Sequence, residues 1–145
     1  MTIFSENRKA GFNYELLEKF EAGISLLGQE VKSIKLGRAN LAGSYVIPKK
    51  QELFLVGCHI PPYQPKNAPD YRPQRDRKLL LTKKELSYLL GRISHKGLTL
   101  LPLKLYTNGR LIKMEFALAK ILKKWDKREN IKKREMDREI KRSLG

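Results

Sequence analysis

The sequence predicts a mainly β domain with inserted helices, followed by a basic C-terminal tail. Three observations carry that expectation. Short apolar segments separated by turn signals recur through the first 120 residues. Two of them flank Asn108-Gly109, the strongest two-residue hairpin signal. From residue 121 on, apolar residues thin out and charge takes over, so that stretch cannot build a core of its own. The body is therefore expected over residues 1–120 and the tail over 121–145.

The totals fit this division. A chain of 145 residues, 41% hydrophobic, is enough for one core plus an appendage. The net charge of +16 calls for a polyanion, and nucleic acid is the commonest. A basic surface kept for solubility is the bland alternative, and an anionic membrane ranks below it. Residues 1–60 carry 8 basic and 6 acidic side chains, 61–119 carry 12 and 4, and the remainder 11 and 5. The positive field thus sits in the second half of the body and in the tail.

Taken in order, Asn7 to Gly11 reads as a short basic lead-in. Phe20, Ala22, Ile24 and Leu26 then alternate with Glu21, Gly23 and Ser25, a half-buried strand with Glu21 outward and Gly28 at its end. Residues 30–36 form a short helix with Val31 and Ile34 inward and Gly37 as C-cap. Two short strands follow at Ser44–Ile47 and Leu53–Val56, joined by a loop over Pro48–Glu52. Five of the seven prolines then fall between Pro61 and Pro73. Such a connection is either a functional loop or a plain surface excursion. Arg72, Arg75, Arg77 and Lys78 close it and lead into Leu79-Leu80-Leu81.

Thr82 and Glu85 make a capping box for a helix whose apolar face is Leu86, Leu89, Leu90 and Ile93, stopped by Gly97. Leu98 to Tyr106 and Leu111 to Leu118 form the last hairpin. An Asn108-Gly109 loop would set Leu105, Leu103 and Leu101 opposite Ile112, Met114 and Phe116, all on one face. It would also set Lys104 opposite Lys113, a repulsion of up to about 1 kcal/mol that an anionic ligand would relieve. Alternatively both lysines splay into solvent. Short antiparallel strands with long loops suggest a small closed β-barrel, and the OB type is a common nucleic-acid-binding version.

Catalytic and metal-binding patterns are missing from the sequence. His59 and His95 are isolated, and Cys58 has no second cysteine. Cys58 and His59 are neighbours, but on extended chain they point to opposite faces. Glu21 and Glu30 are not constrained enough to be an acid/base pair. No phosphate-binding glycine loop appears. The expectation is a non-enzyme without cofactor or metal. A lone cysteine suits a reducing cytosol, the N-terminus lacks a secretory apolar region, and no run reaches membrane-spanning length. A cytoplasmic protein without a membrane partner follows as the expectation.

In the tail, Met136, Ile140 and Leu144 recur every four residues, and Glu129/Lys133 and Asp137/Lys141 are i,i+4 opposite-charge pairs. The tail is expected to be loose when free and helical against an anionic surface.

Several motifs together resemble one family. They are Phe20-Glu21-Ala22-Gly23-Ile24, Gly28-Gln29-Glu30-Val31-Lys32-Ser33-Ile34, Gly37-Arg38-Ala39-Asn40-Leu41 with Ser44-Tyr45, and His59-Ile60-Pro61-Pro62-Tyr63. Arg75-Asp76-Arg77-Lys78-Leu79-Leu80-Leu81, Gly97-Leu98-Thr99-Leu100, Pro102-Leu103-Lys104-Leu105-Tyr106 and Asp126-Lys127-Arg128 complete the pattern. In this order they are similar to bacterial small protein B, SmpB, from Asn7 through nearly the whole chain.

The resemblance implies an OB-like closed barrel with inserted helices and a basic tail. It implies an adaptor of trans-translation that binds the tRNA-like domain of transfer-messenger RNA (tmRNA) and, with elongation factor Tu, brings it to stalled ribosomes. The free protein would be a monomer. By position, Glu21, Leu80 and Lys113 match residues implicated in RNA binding, and Lys104, Lys78 and Arg77 join them as expected contacts. Glu21 cannot attract phosphate, so it would accept hydrogen bonds from base or ribose, or orient a basic neighbour; Leu80 could equally be core.

Trp125 stands where the family usually has His or Tyr, expected to stack on a ribosomal base in the decoding centre. Asp126, Lys127 and Arg128 match the tail motif, and Ile131, Lys132, Lys133 and Arg134 would line the empty messenger channel. Ile121, Leu122 and Lys123 replace the family's Gly-Lys-Lys, which removes a flexible joint. Without the resemblance, a structural ribosomal protein or a general single-strand binder with the same body remains open. The Trp125-Asp126-Lys127-Arg128 segment discriminates, since a general binder does not need it.

Overall fold

The computed structural model describes residues 1–122 apart from Lys9 and Ala68. Seven strands and three helices follow one another as β1 (Ile3–Glu6), α1 (Ala10–Asn13), β2 (Tyr14–Ile24), α2 (Gly28–Lys35), β3 (Tyr45–Lys49), β4 (Glu52–Val56), β5 (Arg77–Leu80), α3 (Lys83–Ile93), β6 (Leu98–Asn108) and β7 (Leu111–Ile121). The pairing order is β1-β6-β3-β4-β5-β2-β7, and β7 pairs back onto β6. Six strands thus close into a ring, all antiparallel, with β1 added outside it. The helices are inserted, α2 between β2 and β3 and α3 between β5 and β6, as expected.

Inside the ring, Leu41, Leu53, Leu55, Ile60, Leu105, Met114, Phe116 and Leu118 are fully buried in one cluster. Burial of each such side chain contributes about 1.5–3 kcal/mol relative to exposure. Helix α2 adds Ile34 to that cluster, with Val31 packed on its rim. Its C-terminus has Gly37 at φ +75, where the Gly37 amide donates to Ile34 O, as the C-cap expectation requires. Helix α3 buries Leu89 and rests Leu86, Leu90 and Ile93 against the core. At its start Thr82 Oγ1 accepts the Glu85 amide at 3.2 Å.

Four expectations are corrected. First, the expected lead-in over Asn7 to Gly11 runs into helix α1 at Ala10, and β1 and the first half of β2, for which no expectation was made, also precede Phe20. A register shift between Leu16 and Glu18 leaves Leu17 42% exposed, while Glu18 accepts the Tyr88 hydroxyl. That breaks the apolar alternation by which a strand is recognised. Second, β2 ends at Ile24; Leu26 lies beyond it and Gly28 opens α2.

Third, the β3–β4 loop is a two-residue turn at Lys50-Gln51, with φ of 49° and 64°, and Pro48 and Lys49 belong to β3. Fourth, the last hairpin turns at Gly109-Arg110. Asn108 pairs with Leu111 and Leu105 with Met114. Gly109, at φ +66, is the first central residue, the position glycine takes in a type II′ turn. A bulge between Pro102 and Lys104 then turns Leu101 and Leu103 away from the ring interior. They pack in a second cluster with Ala10 and Ala119.

Candidate nucleic-acid interface

Directly paired residues on neighbouring strands show their side chains on the same face. Two rows cross the outer face of β5, β2, β7 and β6. Leu80, Gly23, Lys113 and Tyr106 make the first, and Glu21, Glu115 and Lys104 the second. Lys78 lies two residues before Leu80 and on the same side. Five of the expected RNA contacts, Glu21, Lys78, Leu80, Lys104 and Lys113, therefore share one surface.

Leu80 is 53% exposed, so of its two readings the outward one holds. It lies over Gly23, where an added Cβ would come within 3.3 Å of the Leu80 Cβ. The glycine lets the leucine sit flat against the sheet. Lys78 lies 3.5 Å from Glu52. The Lys113 side chain has no ion-pair or hydrogen-bond partner among the described residues, so its charge is free for a ligand.

The expected opposition of Lys104 and Lys113 does not occur. The shifted hairpin sets Lys104 across from Glu115, 3.4 Å from its carboxylate, and sets Lys113 across from Tyr106. No lysine repulsion awaits relief there, so that pair calls for no anionic ligand. Instead the like charges are Glu21 and Glu115, opposite each other on β2 and β7.

Arg77 is the second correction. It is fully buried on the inward side of β5 and cannot touch a docked RNA. Its Nε donates to Glu30 Oε2 at 2.7 Å, Nη1 to Cys58 O at 2.6 Å, and Nη2 to Pro73 O at 2.9 Å and to the Tyr71 hydroxyl at 3.0 Å. Glu30 is fully buried too, and also takes Arg75 Nη2 at 2.5 Å and the Leu27 amide at 2.8 Å. Burial pushes the Glu30 carboxyl up, but donation from Arg75, Leu27 N–H and Arg77 outweighs it and the value falls below the ordinary one. Tyr71 ties the proline-rich loop to this cluster and also meets Ile60 O at 2.7 Å; burial and the Glu30 charge push its hydroxyl up to about 12.

Cys58 lies beneath the same cluster, fully buried, and burial pushes its thiol up to about 11. A thiol with that value, shut off from solvent, is inert toward alkylation. Iodoacetamide is expected to label Cys58 of the folded protein at pH 8 at least about a hundredfold more slowly than the urea-unfolded chain. Equal rates would contradict the buried placement. His59, its neighbour, faces outward.

Three residues of this face, Tyr106, Gly23 and Glu115, are not among the expected contacts; Glu115 is two residues on from Lys113 and on the same side. Tyr106 is two residues on from Lys104, on the same side, and that spacing was the signal for it. Gly23 gave none beyond being a glycine in a strand. Trp125, Asp126, Lys127, Arg128, Ile131, Lys132, Lys133 and Arg134 lie outside the described residues. Ile121 closes β7 and its amide donates to Gly97 O, while the Leu122 amide donates to Asn13 O. Both residues are thus held by the body. Among the described residues no three His, Cys, Asp or Glu side chains converge as metal ligands, and no helix is long and apolar enough to cross a membrane.

The family model described as SmpB protein matches residues 4–145. The chain belongs to the SmpB family. This SmpB-family chain is 51% identical over 142 residues to the SsrA-binding protein of Carboxydothermus hydrogenoformans, covering 98% of this chain and 95% of the relative. The SsrA-binding protein of Syntrophobacter fumaroxidans is 49% identical over 140 residues, covering 97% and 87%. A solved structure described as "tmRNA-SmpB: a journey to the center of the bacterial ribosome" contains a chain that matches with a TM-score of 0.68 and 43% identity. The match covers 87% of this chain and 92% of that one.

Proposed function

We propose that this protein is an RNA-binding adaptor of trans-translation. It binds the tRNA-like domain of tmRNA through the outer face of β5, β2, β7 and β6 and brings that RNA to stalled ribosomes. The observation that carries this reading is the convergence of Glu21, Lys78, Leu80, Lys104 and Lys113 on one face of a chain whose relatives are named SsrA-binding proteins. Lys113 and Lys78 supply positive charge for phosphates, and Leu80 supplies an apolar surface for a ribose or an unstacked base.

In this reading residues 1–120 are the RNA-binding body and 121–145 the ribosome-directed tail. Trp125 stacks in the decoding centre. Asp126, Lys127 and Arg128 follow it, and Ile131, Lys132, Lys133 and Arg134 run into the empty messenger channel. The protein is a monomer when free, acts in the cytoplasm with elongation factor Tu, and carries out no catalysis itself. The reader of the stalled complex is the RNA, whose own frame then adds the degradation tag.

A titration against two RNAs of equal length and charge tests this. The tRNA-like domain is expected to bind at least about a hundredfold tighter than a scrambled hairpin, since specific binding exceeds nonspecific by such factors or more. Equal binding would mean that charge alone explains the interaction, and a general RNA binder would replace the adaptor.

A further inference from the structure

Glu21 is an odd residue for a surface that meets phosphate. It stands opposite Glu115 on the next strand, yet the two acids are not equally provided for. Glu115 has Lys104 at 3.4 Å and Lys19 at 3.9 Å. Glu21 has no ion pair among the described residues. Its recorded partner is the Tyr106 hydroxyl, which donates to Oε2 from two strands away. Tyr106 is only 4% exposed although it belongs to the outer row, and Lys104 Nζ lies 5.8 Å from its ring centroid. Burial, then the bond to Glu21 and its charge, hold the phenol proton on. Tyr106 is therefore a permanent donor with one acceptor.

We propose that Tyr106 is a positioning residue for RNA recognition. It pins Glu21 through Oε2, beside the unpaired Lys113, and leaves Oε1 as the acceptor for an N–H or O–H donor of the RNA. A free glutamate on a strand samples several rotamers, and ordering one costs free energy at binding. The tyrosine meets that cost in the fold. The inference rests on the RNA-binding reading of this face and goes beyond it by assigning a residue to the geometry of Glu21. The donor is a ribose 2′-hydroxyl or a base amino group.

The test measures affinity for the tRNA-like domain of tmRNA with the full chain and the variants Tyr106→Phe, Glu21→Gln, their double, Glu21→Asp and Lys113→Ala. Tyr106→Phe keeps the ring and is expected to weaken binding about five- to tenfold, the scale of the net contribution of one hydrogen bond. Adding Glu21→Gln to it should cost no more than Glu21→Gln alone. The salt slope should be that of the parent, since no phosphate contact is lost. Glu21→Asp keeps the charge but withdraws it from Tyr106, and should match Tyr106→Phe. Transcripts with single 2′-deoxy positions separate the two donors. If one deoxy position weakens the parent but not Glu21→Gln, the donor is a hydroxyl; if none does, it is a base.

Parent affinity in Tyr106→Phe, with losses in Glu21→Gln and Lys113→Ala, overturns the positioning role and leaves the interface standing. Fully additive losses overturn it too, because Tyr106 then acts on the RNA without Glu21. Parent affinity in both Glu21→Gln and Lys113→Ala removes the interface and the inference with it.

Discussion

Glu30→Ala is expected to lower stability by about 3–5 kcal/mol, the cost of leaving a buried charge without its partner. The reason lies with Arg77. It is fully buried and Glu30 is its carboxylate. Its other acceptors, Cys58 O, Pro73 O and the Tyr71 hydroxyl, are neutral and do not balance a guanidinium. Arg77→Ala should cost less, since Glu30 keeps Arg75, Tyr71 and the Leu27 amide. The double variant should cost less than the sum of the singles, because the second removal no longer strands a charge. Guanidinium unfolding measures all three, and a Glu30→Ala loss under about 1 kcal/mol would refute the account. The pH dependence has a definite sign. The carboxyl value of Glu30 is lowered in the folded state, so its contribution is complete above the ordinary carboxylate value of about 4.3. It drains away as pH falls through the lower folded value. Glu30→Gln should flatten that acid limb of the stability curve.

The second large effect separates body from tail. Lys113→Ala is expected to weaken binding of the tRNA-like domain about tenfold and to reduce the log–log salt slope by about 0.7–0.9, one phosphate contact. Glu21→Ala should weaken binding with the slope unchanged. Trp125→Ala should leave RNA affinity at the parent value and abolish tagging on stalled ribosomes, since loss of one base–aromatic stack costs about 1–3 kcal/mol at the decoding site. Filter binding and a tagging assay read the two effects. Equal RNA affinity in all three variants would defeat the division of labour.

Local signals were legible where the cause is local. Thr82, Glu85 and the leucine spacing announced α3, and Gly37 announced the end of α2. The hairpin was legible in kind but not in register. Turns at Asn108-Gly109 and at Gly109-Arg110 differ by a shift that keeps every side chain on its own face near the turn, so the apolar pattern is blind to the choice. The bulge near Pro102 was also invisible, and it reassigns Leu101 and Leu103 to the second cluster. Arg77 was misread because a cation in a basic run looks like surface. What buries it is Glu30, far upstream in sequence and brought near only when α2 closes on β5. For the interface, Glu21, Leu80 and Lys113 came from resemblance; their adjacency came from cross-strand pairing that no single strand encodes.

The ring is lopsided. β2, β7 and β6 are zipped along almost their whole length, whereas β3 meets β6 at one pair, Val46 with Leu100, and β5 meets each neighbour through two. Thermal agitation is absorbed by the weakest joints. The wall around β3 can breathe while the wall bearing Glu21, Lys104 and Lys113 keeps its spacing, like a printed template on a stiff board. A folded RNA arm is itself stiff, and two stiff partners lose little freedom when they meet. Such a surface rewards an RNA already in the right shape and gives little to one that must bend to fit.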